Sequence, residues 1–296
     1  MIVDRKGALG DMLMMTPALR ELRRRRPDEF IGVKTIFPDV FKNSPYVDCA
    51  TPVLHRAGEH VVNLNGVYEK DFGRHPVAVY AEKIVGDCSF ESLNLELFPS
   101  ESDRVAVDDW WSRNISDSSP VIVVHFGVTW VPLNGTELER AIEELSKAYT
   151  IVLVGRRIPH KEYYPQNHHL TVNLVDAEWS IHKLNWLIQK ADYFLGTDTG
   201  VMHIAAATTT PIVCMYSFVH PQFRMPFRNG VPFEPVVGKL DLCDTPFCAE
   251  KHKRMTPSGD FAGVRCPRQY VCSKSITAEM ILGKIEKVKR QSIKPS

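Results

Sequence analysis

The chain has 296 residues, 44% of them hydrophobic and 24% charged, with a formal net charge of +1. That length can build more than one core, and the near-neutral balance argues against a broad nucleic-acid surface, which needs a clear basic excess. No apolar run approaches the ~20 residues needed to cross a bilayer, and MIVDRKGALGD is too short in apolar residues for a secretion signal, so a cytoplasmic protein is expected.

In chain order, Ile2 to Asp4 reads as a short strand, followed by a loop holding Gly7 and Gly10. Asp11 then heads a helix whose apolar positions Leu13, Pro17, Leu19 and Leu22 recur near helical spacing. Arg23 to Arg26 fall in its last turn, where cations complement the helix dipole, and Pro27 stops it. A solvated helix end is one reading of that arginine run; a contact for nucleic acid or acidic lipid is the other. FIGVKTI is the next strand, and VDCATPV, HVVNL and the helical HPVAVYAEKIVGD complete a set of short α/β elements.

Across 101–119 the composition turns acidic and Ser-rich, which sets a domain boundary there, with domains 1–115 and 116–296. The second part restarts with the strand VIVVHFG, a helix at 134–148, the strand TIVLVG and a helix at 180–190. Strands alternating with helices of this length predict an α/β fold of parallel sheets with helices on both faces. Two such domains in series leave a cleft at the carboxyl ends of their strands, where ligands of open α/β sheets bind.

GTDTGVMHIAAATTTPIVCMY, residues 196–216, is the most informative stretch. A buried strand ends at Leu195 and breaks at Gly196, a small-residue helix runs from Val201 to Ala207, and PIVCMYS is the next strand. Asp198 or Thr199 occupies the N-cap position. One reading is a plain cap with His203 as a satisfied core histidine. The other is an anion site, since a helix N-terminus offers unpaired N–H groups and partial positive charge. In that reading Gly200 lets an anion approach the backbone, and Thr199 and His203, four apart, share one helix edge.

Cys49, Cys88 and Cys214 stand alone in apolar surroundings as small core residues. Cys243, Cys248, Cys266 and Cys272 instead cluster as C-x4-C-x17-C-x5-C. Metal binding, free thiols and disulfides are all open to such a set, and four thiolates suit a tetrahedral zinc or iron site. The tail places Ile276, Met280, Ile281 and Ile285 on one helix face with lysines opposite. It reads as a last helix packed on the body and crossing back to the first domain, with a peripheral membrane contact as the alternative.

GDMLMMTPALRELRRRRP, HPVAVYAEKIVG, VIVVHFGVTW and GTDTGVMHIAAATTTPIVCMYS occur in that order. Together they resemble the ADP-heptose:lipopolysaccharide heptosyltransferase family (glycosyltransferase family 9), over about residues 2–285. The resemblance implies two Rossmann-like domains facing each other across a cleft, the GT-B fold, with the acceptor side in 1–115 and the donor side in 116–296. It implies inverting transfer of a sugar, heptose above all, from a nucleotide-diphosphate donor such as ADP-heptose to a hydroxyl of a glycan, lipid-linked or protein acceptor. Action at the inner face of the membrane, in lipopolysaccharide biosynthesis, would follow.

Asp198, Thr199, Gly200 and His203 match the family element that holds the donor diphosphate, and Asp11 matches its candidate general base, whose pKa partial burial should raise. No metal is implied at the chemical step. Some relatives carry a cysteine-rich metal loop in the region of 243–272, which would make a zinc or iron here structural. The sequence departs from the family in lacking a basic residue after the strand that opens the second domain, where it reads HFGVTWVPLNG. His125, Arg156 and Arg157 are the residues that would compensate. Arg5 and Lys6 before ALGD would serve donor phosphates or be solvated. The competing function is a non-catalytic sugar-nucleotide or glycan binder on the same scaffold, for which a carboxylate at Asp11 has no use.

Overall fold

Three-residue strands open the chain, joined by much longer helices. β1 (Ile2–Asp4), β2 (Gly32–Lys34), β3 (Cys49–Thr51) and β4 (Val61–Asn63) form one sheet in the order β3-β2-β1-β4. Its pairs are all parallel. The computed structural model describes residues 1–70, 72–116, 118–127, 133–156, 172–255, 257 and 261–293. Helices α1 (Leu9–Arg25) and α2 (Pro76–Val85) bury Leu13, Leu19, Val77 and Tyr80 in the same core as Val3 and Val33.

Pro17 lies inside α1, where its ring nitrogen cannot bond the Leu13 carbonyl. Thr16 supplies the lost donor, its hydroxyl reaching Leu13 O at 2.8 Å. The arginine run at the end of α1 is spent on neighbouring carboxylates: Arg23 on Asp48, Arg24 and Arg25 on Glu21, Arg25 also on Asp87, and Arg26 on Glu29. It is a salt-bridged helix end.

The acidic segment after residue 100 is a helix, α3 (Glu101–Asn114). Ser100 caps it by accepting from Asp103 N at 3.1 Å, while Asp103 accepts from Ser100 N at 3.1 Å. The Ser-x-x-Asp box is present in the sequence, but the acidic, Ser-rich composition reads as a domain boundary rather than a helix. α3 packs on the second half, with Trp186 Nε1 and Lys190 Nζ both bonded to Asp108.

The second sheet holds β5 (Val121–His125), β6 (Thr150–Gly155), β7 (Val172–Val175), β8 (Tyr193–Thr197), β9 (Ile212–Tyr216) and β10 (Phe233–Val237), in the order β10-β9-β8-β5-β6-β7. All five pairings are parallel. Helices α4 (Gly135–Ser146), α5 (Ile181–Lys190) and α6 (Gly200–Ala206) follow β5, β7 and β8. A Cys-rich stretch carries the short α7 (Ala249–His252), the antiparallel pair β11 (Lys253–Met255) and β12 (Phe261–Val264), and α8 (Val271–Lys274). The chain closes with α9 (Ala278–Ile293).

α9 buries Ile281, Ile285 and Val288 against α4 and the strands β9 and β10. Its packing is therefore on the second sheet rather than across to the first half. Two of its lysines, Lys284 and Lys287, pair with Glu234 of β10, so part of the basic face is already neutralised.

The two halves share a core. Met12 and Met15 of α1 belong to one buried cluster with Met202, Ile204 and Ala205 of α6. Where α1 meets α6, a Cβ on Gly10 would fall 2.5 Å from His203 Cδ2, and one on Gly200 would fall 3.1 Å from Leu9 Cβ. Two glycines thus permit the close approach of the helices. Gly10→Ala should cost about 1–3 kcal/mol, the usual range for overpacking. Urea unfolding measures this, with a lower midpoint expected at unchanged slope; a midpoint equal to wild type would mean that the imidazole yields freely.

Candidate functional site

Between the carboxyl ends of the two sheets lies a cavity of about 650 Å³. That falls within the range of small-ligand sites. It brings Asp11 from the first half together with Asp198, Thr199, Gly200 and His203 from the second. The residues following β5, β6, β8 and β9 also line it, among them His125, Arg156 and Arg224. Each strand end delivers its residue to the same edge because every strand of both sheets runs parallel.

Asp11 is buried and fully engaged. Its Oδ2 accepts from Ala8 N at 2.6 Å and lies 3.1 Å from Arg5 Nη2, while Tyr80 Oη donates to Oδ1 at 3.2 Å. Arg5 is 1% exposed. It also bonds Glu69 at 2.5 Å and Leu64 O at 3.1 Å, with the rings of Tyr68 and Tyr80 beside its guanidinium. Burial opposes its charge, but Asp11, Tyr80 and Glu69 hold it above its ordinary range. Arg5 is therefore neither solvated nor a direct phosphate ligand; it orients Asp11. The sequence put Arg5 near the loop but hid its partner Glu69, which lies 64 residues further on.

On the opposite wall, Thr199 is the N-cap residue of α6, yet its side chain makes no capping bond. Its hydroxyl lies 3.3 Å from His125 Nδ1 instead, leaving the first-turn N–H groups uncapped. The helix has seven residues, so its dipole is smaller than a long helix would give. A Cβ on Gly200 would crowd Leu9, a packing contact that sequence alone did not reveal.

His203 Nε2 lies 3.8 Å from Asp198 Oδ1, and its buried Nδ1 has no hydrogen-bond partner. Burial, helped by Arg224 and His75, lowers the His203 pKa to about 3. Burial likewise lowers His125 to about 4. His75, outside the lining, is also held at about 4 by burial, although its bond to Met225 O opposes the shift. Asp198 is pushed up to about 6 by burial, with Arg224 opposing and Asp11 adding. His125 therefore cannot supply positive charge near neutrality. Arg156 sits exposed at the cavity, and Arg157 lies outside the described residues.

The cation that sequence reasoning missed is Arg224, 6% exposed and set over the rings of Tyr68 and Phe72 of the first half. FRMPFRNG follows β9 at the binding edge, which was the available signal.

The four clustered cysteines lie outside the cavity lining and carry free thiols. They are neighbours: burial raises the Cys248 thiol to about 11, and Cys266, Cys272 and Cys243 add to the shift. Tyr270 N donates to Cys266 Sγ at 3.1 Å, the kind of amide contact that favours a thiolate. Among the described residues, however, no three His, Cys, Asp or Glu side chains are set to hold one ion. No helix among those residues is long and apolar enough to cross a membrane.

The imidazole shifts set a pH dependence. Each histidine whose folded pKa is depressed stabilises the fold above about pH 6.5, and that contribution is lost as pH falls, by about 1.4 kcal/mol per pH unit for each group. Asp198 has the opposite sign: its raised pKa favours the fold below about 3.8, and the advantage disappears as pH rises through about 6. Three imidazoles outweigh one carboxyl, so the melting temperature should drop between pH 6.5 and 4. His203→Gln should make that drop shallower. An identical slope in the variant would show that His203 titrates normally.

Residues 138–232 match glycosyltransferase family 9 (heptosyltransferase). No curated protein matches the chain in sequence. Among solved structures, a family 9 glycosyl transferase from Veillonella parvula is similar with a TM-score of 0.68 at 15% identity, covering 97% of this chain and 96% of that one. The E. coli ADP-heptose lps heptosyltransferase II gives 0.67 at 16% identity over 98% of both chains. An iron-containing dodecameric glycosyltransferase from enterotoxigenic E. coli gives 0.72 at 16% identity, over 98% of this chain and 76% of that one. At such identity these likenesses are of fold, and they are likenesses to paired α/β domains around a cleft.

Proposed function

We infer that this chain, a glycosyltransferase with a family 9 domain over residues 138–232, transfers heptose from ADP-heptose to an acceptor hydroxyl with inversion. One observation carries the reading: Asp11 and the Asp198–His203 element, from different halves of the chain, line one cavity. In support, the iron-containing neighbour has been solved with ADP-D-beta-D-heptose. In this proposal residues 1–115 present the acceptor and residues 116–296 hold the donor. The acceptor is a glycan, a lipid-linked oligosaccharide or a protein, reached in the cytoplasm or at the inner face of the membrane.

The reaction is a single displacement. The acceptor oxygen attacks the anomeric carbon, and the bond from that carbon to the diphosphate oxygen breaks with its electron pair on the leaving group. Asp11 takes the acceptor proton. Its second oxygen is held by Tyr80, and Arg5 keeps the carboxylate aimed at the cavity. Thr199, Gly200 and His203 receive the diphosphate, the uncapped N–H groups of α6 donating to it. These contacts accelerate the reaction only as far as they strengthen while charge builds on the leaving oxygen.

Asp11→Asn keeps the shape of the carboxylate without its basicity. Donor affinity should stay within about twofold, while turnover falls about 10²–10⁴-fold, the range of a general base. Titration with ADP, UDP and GDP by thermal shift comes first, because a ligand of the folded state raises the melting temperature. Failure of all three to shift it would sink the nucleotide-sugar reading, and wild-type turnover in Asp11→Asn would remove Asp11 as the base.

We further propose that Cys243, Cys248, Cys266 and Cys272 close around one structural zinc or iron, away from the chemical step. Four sulfurs in one corner, with an amide donated to Cys266, support it. Elemental analysis of purified protein should find close to one equivalent of metal per chain, and its removal should expose residues 243–272 to hydrogen exchange before the sheets. Metal-free protein with the same exchange pattern would rule the site out.

A further inference from the structure

We propose that Arg224 is the cation that binds the donor diphosphate and takes up the charge of the leaving group. The proposal rests on the nucleotide-donor reading above, and goes beyond it by assigning the positive charge that the family element itself lacks here.

Buried charges are ordinarily paired, because desolvation penalises an uncompensated ion. The other arginine buried as deeply, Arg5, meets Asp11 and Glu69. Arg228 spends its guanidinium on the carbonyls of Pro232, Thr208 and Thr210. Arg224 has a single bond, from Nη1 to Phe223 O at 2.8 Å, and no carboxylate pairs with it among the described residues. It is nonetheless 6% exposed and faces a cavity. A cation left in that condition is explained by an anion that arrives from outside.

The anion's position is constrained as well. The charge on Arg224 reaches both Asp198 and His203, opposing protonation at each. It therefore stands next to the element proposed to hold the diphosphate. His125 and His203 are uncharged near neutrality and offer hydrogen bonds rather than charge.

The residue is also held in advance of binding. His220 Nδ1 accepts from Gln222 N at 3.2 Å, and Arg224 N bonds Pro221 O at 2.8 Å, closing a tight turn. From the other half of the molecule, His75 Nε2 meets Met225 O at 2.9 Å, and the Tyr68 and Phe72 rings lie 5.0 and 5.4 Å from the guanidinium. A planar guanidinium so fixed presents parallel N–H groups to phosphate oxygens, which a lysine cannot reproduce. As the bond from the sugar to the diphosphate breaks, the electron pair stays on phosphate oxygen, and those N–H groups donate to it more strongly.

The test is isothermal titration of the full chain with ADP, adenosine and inorganic pyrophosphate, using wild type, Arg224→Gln and Arg224→Lys. Arg224→Gln should bind ADP about 10–100-fold more weakly, the scale of lost hydrogen bonds to a charged group. Adenosine affinity should not move, and pyrophosphate binding should vanish. Arg224→Lys should fall between the two. Because no carboxylate among the described residues bonds Arg224, Arg224→Gln should melt no lower than wild type in the absence of nucleotide. Wild-type ADP affinity in Arg224→Gln overturns the proposal. So does an equal loss of adenosine and ADP, or a variant that fails to fold, since either makes Arg224 a structural residue. If wild type binds pyrophosphate but no nucleotide, the donor assignment fails while the anion site at Arg224 stands.

Discussion

The close passage of α1 over α6 is the contact on which the rest of the cavity depends. Gly10 lies against the His203 ring with no room for a side chain, and Gly200 lies against Leu9, where a Cβ would be tightly crowded. Because Asp11 follows Gly10 and Thr199 precedes Gly200, the contact that joins the two halves also sets the distance between the walls. A packed interface is stiff in the way that protein interiors are stiff, so its spacing does not drift with solvent or temperature as a loop contact would. The two halves are thereby held in register by apolar burial.

Charge in the cavity is arranged around that contact. Arg5 sits between two carboxylates, Asp11 and Glu69, so the first half's side of the cavity carries a negative excess. That excess contributes to the raised pKa of Asp198 across the gap, with burial as the larger cause. The histidines cannot balance it because burial keeps them neutral. Arg224 is the buried counterweight, and it comes from a turn rather than from a strand end. An entering diphosphate would meet a repelling carboxylate and an attracting guanidinium side by side, which favours a ligand whose charge lies toward the turn after β9.

Much of this arrangement could be read from the residues. Strand–helix alternation identified two parallel sheets, and Asp198, Thr199, Gly200 and His203 declared themselves because four such residues have no purpose inside an apolar run. Asp11 stood at the head of a helix, and only the family resemblance gave it a role. Arg5, Glu69, Tyr80 and Arg224 were not, since their meaning depends on partners tens of residues away and on burial, which short polar neighbourhoods conceal. Glu69 sits in an ordinary charged loop, and Arg224 in a Pro-rich one, until the fold brings Glu69 to Arg5 and Arg224 over the Tyr68 ring. α3 carries no helical signal in the sequence, only a change of composition, because Val107 alone among its residues is fully buried and little periodicity announces a helix. Beside Gly200 lies Leu9, a packing contact the sequence did not reveal.

The Cys-rich segment joins this scheme through the wall that carries Arg224. Ala249 of α7 packs with Phe72 and Val219, and its amide bonds Phe218 O at 2.8 Å. Lys253 reaches across to the Glu69 carbonyl at 3.0 Å and lies over the Phe72 ring. The segment therefore grips both the aromatic pair beneath Arg224 and the residue that anchors Arg5. Its own base is tight, for a Cβ on Gly238 would fall 1.7 Å from the Cys272 carbonyl. Anything that stiffens 243–272, a bound metal included, would act on the cavity by fixing Phe72 and Glu69, one under Arg224 and the other bonded to Arg5. A segment with no residue in the lining can in this way set the geometry of both walls at once.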